Sequence, residues 1–167
     1  MVGFMAPNTT TTTTDFDDLA AEFDRRLRRI IWCALTTVDA RNRPRTRLVH
    51  PVWTRTTGWL TTRTGTPKVA HLIANPAVSC FWWDPNHEQV TIEAVASVAV
   101  DQDERQRGWD ACGEPPEPYG FDPATIFPDG PTDPALTIVR LEATRVELWG
   151  IPKQVWLAPA PVPPPAA

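Results

Sequence analysis

Lysine is scarce in this chain: only Lys68 and Lys153 occur, and every other basic residue is arginine. Positive charge as a whole is in deficit, with a formal net charge of −4. That balance lacks the basic face which nucleic acids and anionic membranes reward, so neither is expected as a partner. Apolar runs are short. None approaches the roughly 18 residues of a membrane span, and Met1 to Thr14 has neither the charged start nor the apolar stretch of a secretory signal. Cysteine is sparse and odd in number. Cys33, Cys80 and Cys112 form no CxxC pair and no disulfide framework, which points to a reducing, cytoplasmic compartment. There is no glycine-rich dinucleotide or P-loop fingerprint, no GxSxG elbow and no HExxH pair. His50, His71 and His87 stand alone, so no metal site is expected. What is present is a 167-residue chain, 42% hydrophobic and 22% charged, with eight tryptophans. Those proportions suit one globular domain.

Both ends read as tails. Residues 1–14 finish in a run of threonines and carry no apolar period, so a disordered N-terminal tail is expected. Residues 158–167 are proline-rich and read as an extended C-terminal tail. The domain is then 15–157. Within it, Phe16, Leu19, Ala20, Phe23, Leu27 and Ile30 recur at helical spacing. Asp15 is placed to cap that helix, and the Arg25–Arg29 cluster suits its C-terminal end. Strands follow at 31–39, 45–54 and 59–63, separated by turns at 40–44 and 55–58. A short helix spans 66–74, with Thr66 at N-cap, Pro67 at N1 and Asn75-Pro76 beyond its end. Strands at 77–84 and 88–100 form a hairpin. Asp101 and Glu104 start a third helix that runs to about Cys112. Residues 113–134 hold seven prolines and form a long loop, and strands at 135–143 and 144–150 close the set. The expected fold is mainly β with flanking helices (α+β), a six- to seven-stranded antiparallel barrel.

The stretch most able to carry chemistry is 45–76. Lys68 falls in the first turn of the 66–74 helix, where a cation opposes the helix dipole at roughly 0.3–1 kcal/mol. An anion at that helix start would remove the conflict. Thr62, Thr64 and Thr66 bring hydroxyls, and Gly65 lets a backbone approach closely. Arg47 on the neighbouring strand offers a bidentate fork. Together they read as a phosphate cradle. On local features alone, a solvated lysine beside a hydroxyl-rich turn accounts for the same residues.

The order of motifs along RTRLVHPVW, WLTTRTGTPKVAHLIANPAVS and EQVTIEAVA resembles the pyridoxamine 5′-phosphate oxidase-like family of FMN-binding split β-barrels. The matching residues are Arg47, Thr61-Thr62, Thr66 with Lys68, Asn75-Pro76-Ala77-Val78-Ser79, Gln89 and Val146-Glu147-Leu148-Trp149. The likeness spans about residues 16–150. It implies that Arg47 and Lys68 neutralise the FMN phosphate and that Thr62 and Thr66 add hydroxyl bonds. Residues near Thr61 and Gln89 would bond the isoalloxazine edge. Leu48, Val49 and Trp149 complete the implied cofactor-binding set. The resemblance also implies a homodimer with the cofactor at the subunit interface, acting on a small-molecule substrate.

The chain departs from that family's oxidases in two places. Pro67 stands where they have a second basic residue, and GIPKQVWLAPAP after Trp149 holds no Arg or His. Both departures argue against oxidation of a vitamin B6 phosphate. Three readings follow: an FMN oxidoreductase, a reductase using the deazaflavin F420, or a non-catalytic flavin or haem carrier. F420 has an acidic tail and needs a basic groove, for which Arg41, Arg43 and Arg45 are candidates. A solvated sheet edge explains the same arginines. Cys33 and Cys80 are expected to be buried and inert, and Cys112 more exposed. Tyr119, Phe121 and Phe127 either contact substrate or fasten the 113–134 loop to the barrel.

Overall fold

The computed structural model describes residues 9–113 and 122–159. Among these, strands β1 (Thr10–Thr13), β2 (Cys33–Val38), β3 (Pro44–Val49), β4 (Val52–Thr54), β5 (Thr57–Arg63), β6 (Ala77–Trp83), β7 (Gln89–Val98), β8 (Leu136–Trp149) and β9 (Lys153–Leu157) join helices α1 (Asp17–Arg29), α2 (Pro67–Ala74) and α3 (Gln102–Gly113). The strand order is β1-β9-β8-β7-β6-β2-β3, with β5 on β8 and β4 on β5. Every ladder is antiparallel except β1 with β9. The chain is therefore the expected α+β protein built on an antiparallel barrel. The barrel is split because, among the described residues, β3 at the end of that order pairs with β2 alone and leaves its other edge without a ladder.

Three details differ from the sequence expectation. Thr10–Thr13 are a strand rather than part of a disordered tail, because β9 offers them a free edge and threonine fits a pleated surface. The 45–54 segment breaks into β3 and β4 around His50-Pro51, where proline lacks the N–H a ladder needs. The segments 135–143 and 144–150 are one strand. Thr144 is accommodated as a bulge, since the register moves from Glu93↔Arg145 to Ala94↔Ala143. With β9 added, the strand count is nine among the described residues rather than six or seven. Residues 1–8, 114–121 and 160–167, with Tyr119 and Phe121, lie outside the described residues.

Alternation along the strands fills the barrel. Leu35, Cys80, Trp82, Val90, Ile92 and Val139 are buried in one cluster, as expected when alternate residues face one side. Helix α1 adds Leu19 and Phe23 to that cluster. Phe16, just before it, packs edge-on against Phe23 and Trp156, with centroids 5.2 and 5.5 Å apart. Asp15 caps the helix one residue early, its Oδ1 accepting from the Asp17 N–H at 3.0 Å. A second cluster gathers Trp59, Ala99, Cys112, Phe127 and Ile138 beneath α3. Cys112 is therefore buried rather than exposed, and burial pushes its thiol up to about 12. Phe127 is buried there too, under the Arg63 guanidinium, so it fastens the loop. Asp101 caps α3 as expected, accepting from Asp103 N and Glu104 N at 2.9 and 3.1 Å.

The arginines late in α1 do more than oppose a dipole. Arg26 is buried, and its Nη1 donates to the carbonyls of Gln89 (2.8 Å) and Trp149 (2.7 Å), while its Nε donates to Glu22. Arg29 bridges Asp84 and Glu88, and Arg25 reaches Glu22 and Glu88 at 2.7 Å. This network ties α1 to the β6–β7 turn and to the end of β8. The hydrogen bond from Arg25 lowers the Glu22 carboxyl from 4.5 to about 2, with Arg26 helping against burial. A carboxyl lowered on folding stabilises the fold above its unfolded value and loses that contribution as pH falls. The melting temperature should therefore drop between pH 4.5 and about 2, and Glu22→Gln should flatten part of that drop. A melting curve whose pH slope is the same in both proteins would exclude the linkage.

Gly108 sets how closely α3 lies on the sheet. A Cβ there would sit 2.5 Å from the Ile138 side chain and 2.6 Å from the Trp59 ring. Gly108→Val should destabilise the domain by roughly 1–3 kcal/mol through overpacking, read as a lower urea midpoint.

Candidate functional site

Helix α2 follows β5 directly and packs on β2 and β7. Its N-terminus is thereby brought to the open side of the barrel, beside the edge strand β3. Gly65, with φ of +75°, makes the turn that redirects the chain from strand to helix. Arg47 on β3 lies opposite Leu35 of β2 and so shares the inward face. Thr62 is buried on β5, on the same strand face as the core residue Leu60.

Three side chains, Arg47, Thr62 and Lys68, come together there, with Thr66 two residues before Lys68. Lys68 Nζ donates to Thr62 Oγ1 at 2.5 Å. Arg47 acts on Lys68 as a like charge, which with burial lowers the ammonium below its ordinary 10.5; burial is the larger cause. Burial also lowers Arg47. Thr66 is the N-cap of α2, with extended backbone at φ −72° and ψ 149°, but its side chain makes no capping bond. Its Oγ1 is buried without a hydrogen-bond partner. Thr66 thus holds the expected N-cap position without making the side-chain capping bond. A hydroxyl left in that state costs roughly 1–3 kcal/mol.

The electrostatics are one-sided. Among the described residues neither Arg47 nor Lys68 pairs with a carboxylate, whereas Arg43 and Arg45 on the same hairpin both pair with Asp39. Two half-buried cations and an orphan hydroxyl at a helix start make a donor set that fits a phosphate. Thr37 and His71 extend the cluster. Arg47 Nη1 donates to Thr37 Oγ1 at 2.7 Å, and Thr37 Oγ1 lies 3.0 Å from His71 Nδ1. Neither was a site candidate on sequence grounds: Thr37 is one more threonine in a strand, and His71 an isolated histidine. The recurrence of His71 one helical turn after Lys68 was the available signal.

The other candidates lie elsewhere. Thr61 faces the opposite side of β5, paired in register with Ile138, and Thr64 bonds Thr137 at 3.0 Å rather than the cradle. Leu48 is 69% exposed on the outer face of β3, whereas Val49 is buried in the core. Gln89 and Trp149 are register partners on β7 and β8. Gln89 is three strands from Arg47 in the order β3-β2-β6-β7, roughly 14 Å at about 4.8 Å per strand. One chain therefore does not bring them to the cradle. They share the outer face with Phe81, Trp83 and Leu48, all exposed. His50 is also outside the cradle. Burial lowers its pKa, and it borders a cavity of about 380 Å³ between α1 and β4, with Leu27, Ile31 and Trp53. A shallower groove runs from Arg47 and His71 along Arg43 and Arg45. Asp39 there accepts from Arg43 (2.9 Å) and Arg45 (3.2 Å).

The cradle has a pH signature. Lys68 attracts an anion only while protonated, and its pKa is lowered. Inorganic phosphate, titrated from about pH 8 upward where its charge is constant, should bind more weakly as pH rises, beginning below 10.5. Lys68→Arg, which does not titrate in that range, should flatten the curve. Equal slopes in both proteins would remove Lys68 from the site.

Comparison with known proteins bears on the family and the fold. The sequence model of the pyridoxamine 5′-phosphate oxidase family matches residues 19–150. A search of curated proteins found no match. Among solved structures, the fold is similar to a protein of Clostridium acetobutylicum related to general stress protein 26 of B. subtilis, described as of the pyridoxinephosphate oxidase family. The TM-score is 0.66 and the identity 16%, over 86% of this chain and 96% of that one. It is also similar to the haem storage protein HutZ of Vibrio cholerae, with TM-score 0.60 and 21% identity over 75% and 89%. An F420 reductase gives TM-score 0.52 and 19% identity over 74% and 94%. At these identities the solved structures speak for the fold alone.

Proposed function

This chain belongs to the pyridoxamine 5′-phosphate oxidase family of split barrels, and on that footing we propose that it is an FMN-binding oxidoreductase acting on a small molecule. The observation that carries the reading is the pair of half-buried, carboxylate-free cations, Arg47 and Lys68, beside the orphan Thr66 hydroxyl. Arg47 and Lys68 hold the phosphate, with Thr62 and Thr66 donating from their hydroxyls. Bound there, FMN supplies the electron transfer, and the protein supplies position and electrostatics. Pro67 stands in place of a basic residue and the segment after Trp149 has no Arg or His, its one lysine, Lys153, being paired with Glu147, so the substrate is not a vitamin B6 phosphate.

The working unit in this proposal is a homodimer with the cofactor at the interface. Support comes from the outer face of the sheet, where Leu48, Trp32 and Trp83 are 69%, 63% and 50% exposed beside Phe81 and Trp149. Exposed aromatic and aliphatic groups in one patch mark an interaction surface. A second copy on that face would also bring the Gln89–Trp149 end of the sheet within reach of a flavin whose phosphate lies at Arg47.

One observation favours a second cofactor. The groove along Arg43, Arg45 and Arg47 adjoins the cradle and keeps a net positive charge after Asp39 is counted, which suits the acidic tail of F420. The absorbance of the protein as purified, followed by titration with FMN, F420 and haem, decides among them. FMN should bind, and Arg47→Ala and Lys68→Ala should each weaken it more than about tenfold, since each removes a charge-assisted bond of roughly 1.5–3 kcal/mol. Unchanged affinity in both variants would defeat the assignment. Sedimentation should report a dimer, and Phe81→Arg should shift it towards monomer while lowering FMN affinity.

A further inference from the structure

We propose that Thr37 is a positioning residue for the anion site, holding Arg47 in its binding orientation through a directed hydrogen-bond relay that starts on α2. This rests on the reading of Arg47 as a phosphate ligand.

Thr37 is fully buried on β2, an unusual place for a hydroxyl unless its bonds are made. Its two partners come from different elements. Arg47 Nη1, from the edge strand β3, is 2.7 Å from Thr37 Oγ1. His71 Nδ1, from the last turn of α2, is 3.0 Å from the same oxygen. The donor pattern follows from the groups themselves. A guanidinium has donors and no acceptor, so Thr37 must accept from Arg47. The proposed relay directs the single hydroxyl proton to His71 Nδ1, the direction that pairs every group with one partner. A neutral His71 ring accordingly carries its own proton on Nε2.

The relay has two physical consequences. Arg47 lies on a strand whose outer edge has no ladder partner among the described residues, while Lys68 and Thr66 sit at the start of α2. Thr37 ties the guanidinium to the same helix that presents the lysine, so the two halves of the cradle keep one spacing. Arginine loses rotamer entropy on binding, and a side chain already pinned loses less of it to the ligand. The choice of a hydroxyl also matters. An aspartate could pin the guanidinium as well but would neutralise it. Asp39, the carboxylate bordering the same groove, bonds Arg43 and Arg45 instead. A neutral anchor leaves the full charge of Arg47 facing the anion.

The experiment is a double-mutant cycle in FMN affinity, using Thr37→Val, Thr37→Ser, Arg47→Ala and the Thr37→Val/Arg47→Ala pair, with urea midpoints as the folding control. Thr37→Val should weaken FMN about threefold to tenfold, the span of one net hydrogen bond. Thr37→Ser should stay within about twofold of the parent. In the Arg47→Ala background Thr37→Val should add nothing beyond the about twofold scatter of independent sites. A purely structural role predicts additive losses and no rescue by serine, and either result overturns the proposal. Should Thr37→Val not fold, the ¹⁵N signals of the His71 ring in the unaltered protein serve instead: a neutral ring protonated on Nδ1 overturns the relay, and one protonated on Nε2 supports it. If Arg47→Ala alone leaves FMN binding unchanged, the phosphate reading itself fails, an outcome separate from failure of the relay.

Discussion

Two half-buried like charges held together with no carboxylate between them are the constraint on which the rest of this domain turns. Each of Arg47 and Lys68 is made less comfortable by burial, and Lys68 further by Arg47. Elsewhere the same chain pairs its arginines readily, as Arg25, Arg26 and Arg29 do across α1. Local strain of this kind persists where the surrounding structure over-determines it, and it collects at sites of function.

The frame that imposes the constraint is the ladder of β7 on β8, which runs through ten residue pairs with one bulge. It supports β6 and β2 on one side and β5 on the other, and so fixes the gap across which β3 faces β5. Helix α2 lies at that gap because Gly65 turns the chain there. Arg26, by binding the carbonyls of Gln89 and Trp149, clamps the far end of the same ladder. The separation between cradle and clamp explains why the implied flavin residues fall into two groups within one chain.

Much of this was legible in the sequence, for identifiable reasons. Helical spacing from Phe16 to Ile30, alternation in β6 and β7, and the Thr66-Pro67 helix start are local signals, and the structure keeps them with ends shifted by one to three residues. The convergence of Arg47, Thr62 and Lys68 could be anticipated because strand, turn and helix follow one another closely. What could not be read was long-range. The pairing of Thr10–Thr13 depends on an edge presented by residues more than a hundred positions away. The burial of Cys112 depends on Phe127 packing under α3. The missing cap bond at Thr66 depends on where its hydroxyl points, which residue type alone does not say. Thr37 carried no signal because its role arises from two partners on other elements.

The N-terminal strand has a property that follows from its monotony. Residues 9–14 are all threonine, so sliding β1 along β9 by two residues would present the same side chains to the same faces. Its alignment is therefore set from outside the strand, by Thr13 bonding Asp18 at 2.5 Å and by Trp156 Nε1 donating to the Thr14 carbonyl at 3.1 Å. A pair of threonines gained or lost at its outer end would leave the pairing faces unchanged while its inner end stays anchored to the domain.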